Sequence, residues 1–212
     1  MTHIEQTPEL LTRLGAAESG ALTRLHDTLA ARAAAAGLLE VAYRTLPTPV
    51  GTLLLAATEQ GVIRVAFDSE GHDQVLARLA ERVSPRILQA PGRLDALAAQ
   101  LDEYFAGQRR DFDVALDLRL SGGFRREVLL QLTRIGYGRT ESYTGVARAA
   151  GRATAVRAVG TACATNPLPL VIPCHRVLRS DGSLGGYLGG LEAKSTLLRL
   201  ESASGSHADA TG

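Results

Sequence analysis

The heptapeptide Val171-Ile172-Pro173-Cys174-His175-Arg176-Val177 constrains this chain more than any other stretch. It sets one of only two cysteines after an apolar run that a proline ends, and directly before a histidine. A thiol is a useful nucleophile only as thiolate, and an imidazole, a cation or a helix N-terminus is what lowers its pKa. Pro173 fixes φ and is expected to stop a strand-like run, holding the cysteine on stiff backbone. At this point two readings stand side by side: a buried, inert cysteine, as most unpaired cysteines are, or a nucleophile working with His175. The rest of the chain has to decide between them.

The chain is long enough, at 212 residues, to bury a sizeable core in one large or two small units. No apolar run approaches the roughly 20 residues of a membrane helix, and the N-terminus lacks the basic and apolar regions of a secretory signal. Cys163 and Cys174 alone exclude a disulfide framework and cysteine-rich zinc sites, so a reduced, cytoplasmic setting without a metal is expected. Charge is unevenly spread. Leu120–Leu200 holds eleven basic and four acidic residues and carries +7, whereas residues 1–119 carry −4 and residues 201–212 carry −2. A basic half joined to an acidic half is the electrostatic footprint of a polyanion binder.

Residues 1–40 are expected to form a helical extension. Thr7-Pro8-Glu9 has the form of a helix start, Ser19-Gly20 an interruption, and Leu22, Leu25 and Leu29 recur at helical spacing. Residues 41–119 read as an α+β unit with a short antiparallel sheet. Val41–Leu46, Thr52–Ala57 and Val62–Phe67 are three strand-like runs separated by short turn signals, the pattern of a meander. Two amphipathic helices follow, one marked by Val75, Leu76, Leu79 and Val83, the other by Leu94, Leu97, Leu101, Tyr104 and Phe105. Phe112–Leu118 is expected to add a strand, and His26 and His72 to face solvent.

From residue 120 to 201 the pattern is mostly helical. Phe124, Val128, Leu129, Leu132 and Ile135 form one helical stripe, and Tyr143–Gly151 a short helix with a glycine stop. Thr154 is expected to cap a second short helix running to Thr165. Two short helices with a glycine-containing turn have the form of a helix-turn-helix, with Arg157 in the first turn of the second helix. The small residues Ala155, Ala158 and Gly160 would let a backbone come close to it. Asn166-Pro167-Leu168-Pro169 ends that helix and leads into the cysteine stretch. Gly185–Gly190 is glycine-rich but lacks the strand-before, helix-after context of a nucleotide loop, so no nucleotide cofactor is expected. A final helix spans Leu191–Glu201, and residues 202–212 are expected to be disordered.

Taken in order, Arg157-Ala158-Val159-Gly160, Asn166-Pro167, Pro173-Cys174-His175-Arg176-Val177 and Gly189-Gly190-Leu191 resemble the O6-alkylguanine-DNA alkyltransferases, or methylated-DNA–protein-cysteine methyltransferases. The resemblance is close over the last ninety or so residues and extends to the meander from Val41. It implies a ribonuclease-H-like N-terminal unit and a C-terminal helix-turn-helix unit with the active site. It implies a suicide transfer of the alkyl group from O6-alkylguanine, and O4-alkylthymine, in double-stranded DNA to Cys174, without a cofactor. By the same resemblance His175 acts as base through a water, Glu201 orients it, Tyr143 donates a proton towards the base, and Asn166 braces the active-site turn. Arg157 fills the stack when the damaged nucleotide is flipped out, with Tyr143, Thr144, Ala155, Ala158 and Gly160 along the DNA. Val177, Tyr187, Leu188 and Gly189 line the base pocket.

Three other readings are weighed against this one. A non-catalytic binder of alkylated DNA would keep the helices and Arg157 but lack the acceptor cysteine, which is present. A cysteine hydrolase would need the adjacent Cys174 and His175 to form a direct pair, an awkward geometry, and shows no oxyanion-hole motif. A helix-turn-helix regulator would need a ligand or dimerisation module that the sequence does not show. The protein is expected to act as a monomer and not at a membrane.

Overall fold

The run Leu53–Thr58 is buried along its whole length, which only the centre of a sheet covered on both faces allows. In the computed structural model, which describes residues 21, 22 and 24–205, this strand (β2) lies between β1 (Val41–Leu46) and β3 (Gly61–Phe67). Both pairings are antiparallel, so the expected meander forms. A fourth strand, β4 (Ile87–Gln89), extends the sheet from the far side of β1 and runs parallel to it, making the sheet mixed. With three residues it is too short to show an alternating pattern.

Side chains alternate across β2. Leu54 and Ala56 face α2 (His72–Arg82) through Val75 and Leu79, while Leu53, Leu55 and Ala57 face α3 (Asp95–Phe105) and the helical half. That second core continues unbroken into α4 (Gly123–Leu132), α5 (Tyr143–Ala149), α6 (Val156–Ala164) and α7 (Gly190–Gly205). An N-terminal α/β unit and a C-terminal helical unit thus share one apolar interior. The helix α1 (residues 24–35) packs separately through Ala30 and Ala33 against Leu39, Ala42, Leu88 and Ala90. The rest of the expected extension, residues 1–20, and residues 206–212 of the expected disordered tail lie outside the described residues.

Several expectations are corrected. Phe112–Leu118 is not a strand. It touches β3 through one parallel bridge between Val62 and Leu116, with Val62 N–H donating to Ala115 O and Asp117 N–H to Val62 O. Of its two acids Asp117 is engaged by side chains instead: it accepts from Thr58 Oγ1 at 2.6 Å and is paired with Arg119. Thr154 does not cap α6, which starts behind Ala155 without a side-chain cap. Val171 and Ile172 are not strand but part of a tight turn. His72 is half-buried rather than solvent-facing, and the last helix runs on to Gly205, past the expected end at Glu201.

Gly61 shows how closely the 115–117 segment rides on β3. Its φ of +140° suits only glycine, and a Cβ there would sit 2.3 Å from Ala115 O. Gly61→Ala should therefore destabilise the fold by about 2 kcal/mol or more. In thermal melting this lowers the midpoint by at least about 4 °C, and an unchanged midpoint would show that the segment can lift away freely.

Candidate active site

Glu201 reaches the interior because α7 turns one face inward: Ala193, Lys194, Leu197 and Glu201 are buried on it. The carboxylate is 1% exposed and accepts from four groups on three other segments. Tyr104 Oη donates to Oε1 at 2.7 Å and His175 Nε2 meets the same oxygen at 2.9 Å. Arg176 Nε donates to Oε2 at 2.9 Å and its Nη2 to Oε1 at 3.0 Å, while Gly138 N–H donates to Oε2 at 3.1 Å. Burial alone would push this carboxyl up, but the hydrogen bonds of His175 and Arg176 and the Arg176 charge outweigh it and bring the pKa down to about 2. The acid is ionised, and every partner must donate to it.

That requirement settles the tautomer of His175. The ring is fully buried, and burial lowers its pKa against the opposing pull of Glu201, so it is neutral. An ionised carboxylate accepts only, so Nε2 carries the proton and Nδ1 keeps a free lone pair. Nδ1 is buried and has no hydrogen-bond partner among the described residues.

Cys174 begins a single helical turn, Cys174–Arg176, and is 2% exposed. The turn before it contains Leu170 at φ 69°, a left-handed conformation that costs a residue with a Cβ about 1–3 kcal/mol. Asn166, fully buried, holds this turn: Oδ1 accepts from Leu168 N–H at 3.0 Å, and Nδ2 donates to Ile172 O at 2.9 Å and to Cys174 Sγ at 3.2 Å. The turn is also fixed from outside, since Val65 N–H of β3 donates to Pro167 O at 2.9 Å. Burial pushes the Cys174 thiol up to about 11, against the Asn166 hydrogen bond and the charge of Lys194. The resting sulfur is a thiol.

Tyr143 opens α5, whose N-cap Ser142 accepts from Gly145 N–H at 2.9 Å. The two-residue parallel pair of β5 (Glu141–Ser142) and β6 (Val177–Leu178) carries this helix start alongside the cysteine segment. Tyr143 is half-buried against the glycine loop, where a Cβ on Gly185 would lie 2.4 Å from its hydroxyl. In the same loop Tyr187 makes edge contacts with His175 at 6.2 Å and Phe67 at 5.5 Å. Its hydroxyl is buried and has no partner among the described residues. A Cβ on Gly189 would lie 2.6 Å from the Phe67 ring, so this glycine lets the loop dock on the sheet unit. Val177 is buried beneath the loop and Leu188 half-buried on it. The structure therefore brings together Cys174, His175, Glu201 and Asn166, with Tyr143, Val177, Tyr187, Leu188 and Gly189 around them.

Arg157, Ala155, Ala158 and Gly160 lie on α6 or at its start, with Arg157 and Ala158 exposed. Thr144 is half-buried at the start of α5, its hydroxyl 3.5 Å from Ser180 Oγ. These residues form a surface apart from the buried set.

Three participants escape sequence reasoning. Lys194 is fully buried, and its ammonium donates to Val177 O at 2.6 Å and to Gly185 O at 3.5 Å. It is the cation that pulls the Cys174 pKa downward. Tyr104 reads as one more apolar position of α3, yet its hydroxyl crosses to Glu201. Arg176 reads as a basic residue beside the cysteine, yet it is the principal counter-charge of the carboxylate. A usable signal existed for the first: Lys194 and Glu201 share the stripe of Leu197, and polar residues on a core face require partners.

With this geometry described, the chain can be set beside known proteins. Residues 123–203 match the family model of the 6-O-methylguanine DNA methyltransferase DNA-binding domain, and residues 41–118 that of its ribonuclease-like domain. A methylated-DNA–protein-cysteine methyltransferase of Mycolicibacterium paratuberculosis is 39% identical over 161 residues, 76% of this chain and 92% of the relative. The constitutive enzyme of that name from Bacillus subtilis is 36% identical over 163 residues, 75% and 94% of the two chains. The crystal structure of Mycobacterium tuberculosis O6-methylguanine methyltransferase covers 77% of this chain and 94% of its own, at 36% identity and a TM-score of 0.69. A second structure of the M. tuberculosis protein, in complex with DNA, gives a TM-score of 0.67. The chain belongs to the methylated-DNA–protein-cysteine methyltransferase family.

Acidification should weaken the fold in two stages. His175 has a folded pKa below the ordinary 6.5, so the unfolded chain takes up its proton first and stability falls as pH drops through the histidine range. Glu201 contributes stability that is complete above 4.5 and is lost as pH falls towards about 2. Melting followed against pH should show both stages. Glu201→Gln should diminish the second, leaving the part that Asp117 contributes through its own lowered pKa, and, by leaving Arg176 buried without its counter-charge, cost about 3–5 kcal/mol at neutral pH. A variant with an undiminished second stage would place the titrating group elsewhere.

Proposed function

We propose that this chain repairs DNA by direct reversal, moving the alkyl group of O6-alkylguanine, and of O4-alkylthymine, from double-stranded DNA onto Cys174. One observation carries the reading: His175 is held neutral with its proton on Nε2, leaving a basic Nδ1 on the residue next to a thiol that Asn166 holds in place. Through a bridging water, Nδ1 takes the Cys174 proton, and Glu201 stabilises the imidazolium that results. The thiolate attacks the alkyl carbon, the carbon–oxygen bond breaks as the carbon–sulfur bond forms, and the guanine leaves with its electron pair. Tyr143 donates a proton towards the base as that charge develops, and Asn166 keeps the turn from relaxing.

In this reading α5 and α6 work as a helix-turn-helix on DNA, with Thr144, Ala155, Ala158 and Gly160 along the minor groove. Arg157 takes the place of the extruded nucleotide, while Val177, Tyr187, Leu188 and Gly189 receive it. The basic bias of the C-terminal half supports a sequence-independent search. A thioether has no route back to a thiol here, so each chain reacts once, as a monomer in a reducing cytoplasm.

Incubation with duplex DNA containing O6-methylguanine should add one methyl group per chain, found on the peptide holding Cys174. Turnover beyond one alkyl group, or methylation of Cys163, would overturn the mechanism. Arg157→Ala should slow duplex repair about tenfold or more while sparing transfer from free O6-benzylguanine, because only the duplex requires extrusion. Equal losses on both substrates would remove the role given to Arg157.

A further inference from the structure

Four arginines converge on a cleft at the seam between the sheet and the helical half, and the reaction above uses none of them. The cleft encloses about 330 Å³. Arg64 of β3 forms part of its lining, Arg78 and Arg82 stand on successive turns of α2, and Arg125 joins them from the first turn of α4. Glu70 is the one acid on the lining, and it is already engaged by Arg64.

Arg64 is a built feature of that lining. The Arg64 side chain is 13% exposed and fixed by donation to Val65 O at 3.2 Å, Pro167 O at 3.1 Å and Asn166 O at 3.4 Å, besides Glu70. The other three are unsatisfied. Arg125 has a marginal contact with Thr165 Oγ1 at 3.5 Å, and Arg78 and Arg82 make no ion pair among the described residues. Burial lowers the pKa of Arg64, and the charge of Arg78 adds to that effect, so the two guanidinium groups repel each other. Like charges gathered round a concavity focus a positive potential that a bound anion relieves.

We propose that this cleft is a phosphate-binding site. Planar guanidinium forks match the oxygens of a phosphate in pairs, and two free arginines one helical turn apart, with a third on the same lining, present three such forks. The volume lies at the small end of ligand pockets, suited to one or two phosphate groups. These can come from the backbone of a DNA segment passing over the seam, or from a free phosphate compound. The site borders the reactive centre, because the same Asn166 whose carbonyl receives Arg64 holds Cys174 with its side chain.

Inorganic pyrophosphate titrated into the full chain at low salt should bind saturably, one per chain, by calorimetry. Arg78→Ala with Arg82→Ala should lower that affinity at least tenfold, whereas Arg199→Ala, an exposed arginine on α7, should not. Melting curves check that each variant is folded, which the exposure of Arg78 and Arg82 favours. The salt dependence of duplex binding then identifies the source. A log–log slope shallower by about 2 in the double variant assigns the site to backbone phosphates, and an unchanged slope with pyrophosphate binding lost assigns it to a free phosphate compound. Pyrophosphate that fails to saturate, or that binds the double variant as well as the native chain, overturns the proposal.

Discussion

A single buried carboxylate joins segments up to 97 residues apart in the sequence. Glu201 comes from the last helix, Tyr104 from the sheet unit, Gly138 from the loop after α4, and His175 and Arg176 from the cysteine turn. Withdrawing an ion from water is expensive, and only a nearly complete shell of donors offsets it. The shell is complete only when all four segments are docked. The carboxylate therefore acts as a test of assembly: a misplaced segment leaves a charge in the core without its partners. This ties the N-terminal unit to the site through the Tyr104 hydroxyl.

The second dependence is mechanical. The turn from Asn166 to Pro173 holds Leu170 in a conformation it would not choose, and two independent clamps keep it there. Asn166 works from within, and the free edge of β3 works from outside, through Val65 N–H and Arg64. An open sheet edge is normally a liability that folds must cover. Here it is covered by the 115–117 segment at one end and by the reactive turn further along, so one exposed ladder serves stability and positioning together.

How far the sequence revealed all this depended on the kind of signal. The meander was legible because short apolar runs between turn residues have few other solutions, α2, α3 and α4 were legible from their stripes, and α5, α6 and α7 from the glycines, prolines and cap residue that bound them. The strand assigned to Phe112–Leu118 failed because alternation alone does not say whether a partner edge is available; only Val62 was within reach. Pro173 suggested a strand before it, but Asn166 captured that segment as a turn, a side-chain effect with no periodic trace. In the site, Cys174, His175, Asn166 and Glu201 stood out as chemistry-bearing residues at spacings shared with a family. Lys194, Tyr104 and Arg176 did not, because each carries out its polar role from a position whose spacing reads as ordinary core or surface. A buried polar atom is recognisable only once its partner is known, and the partners come from as far as 97 residues away.

The protonation of the site bears on how such a cysteine survives until it is needed. A thiolate formed in advance would be more reactive, but oxidation and indiscriminate alkylation follow thiolate character and exposure. Cys174 has neither: it is 2% exposed and pushed up to about 11. The groups that favour the anion, Lys194 and the Asn166 amide, are already in place, outweighed by desolvation. On the proposed function, entry of a polar base edge beside the sulfur would relieve that desolvation and leave the other influences standing. On the proposed function this is the arrangement a single-use nucleophile requires, because its activation is tied to the presence of the substrate rather than to its own resting pKa.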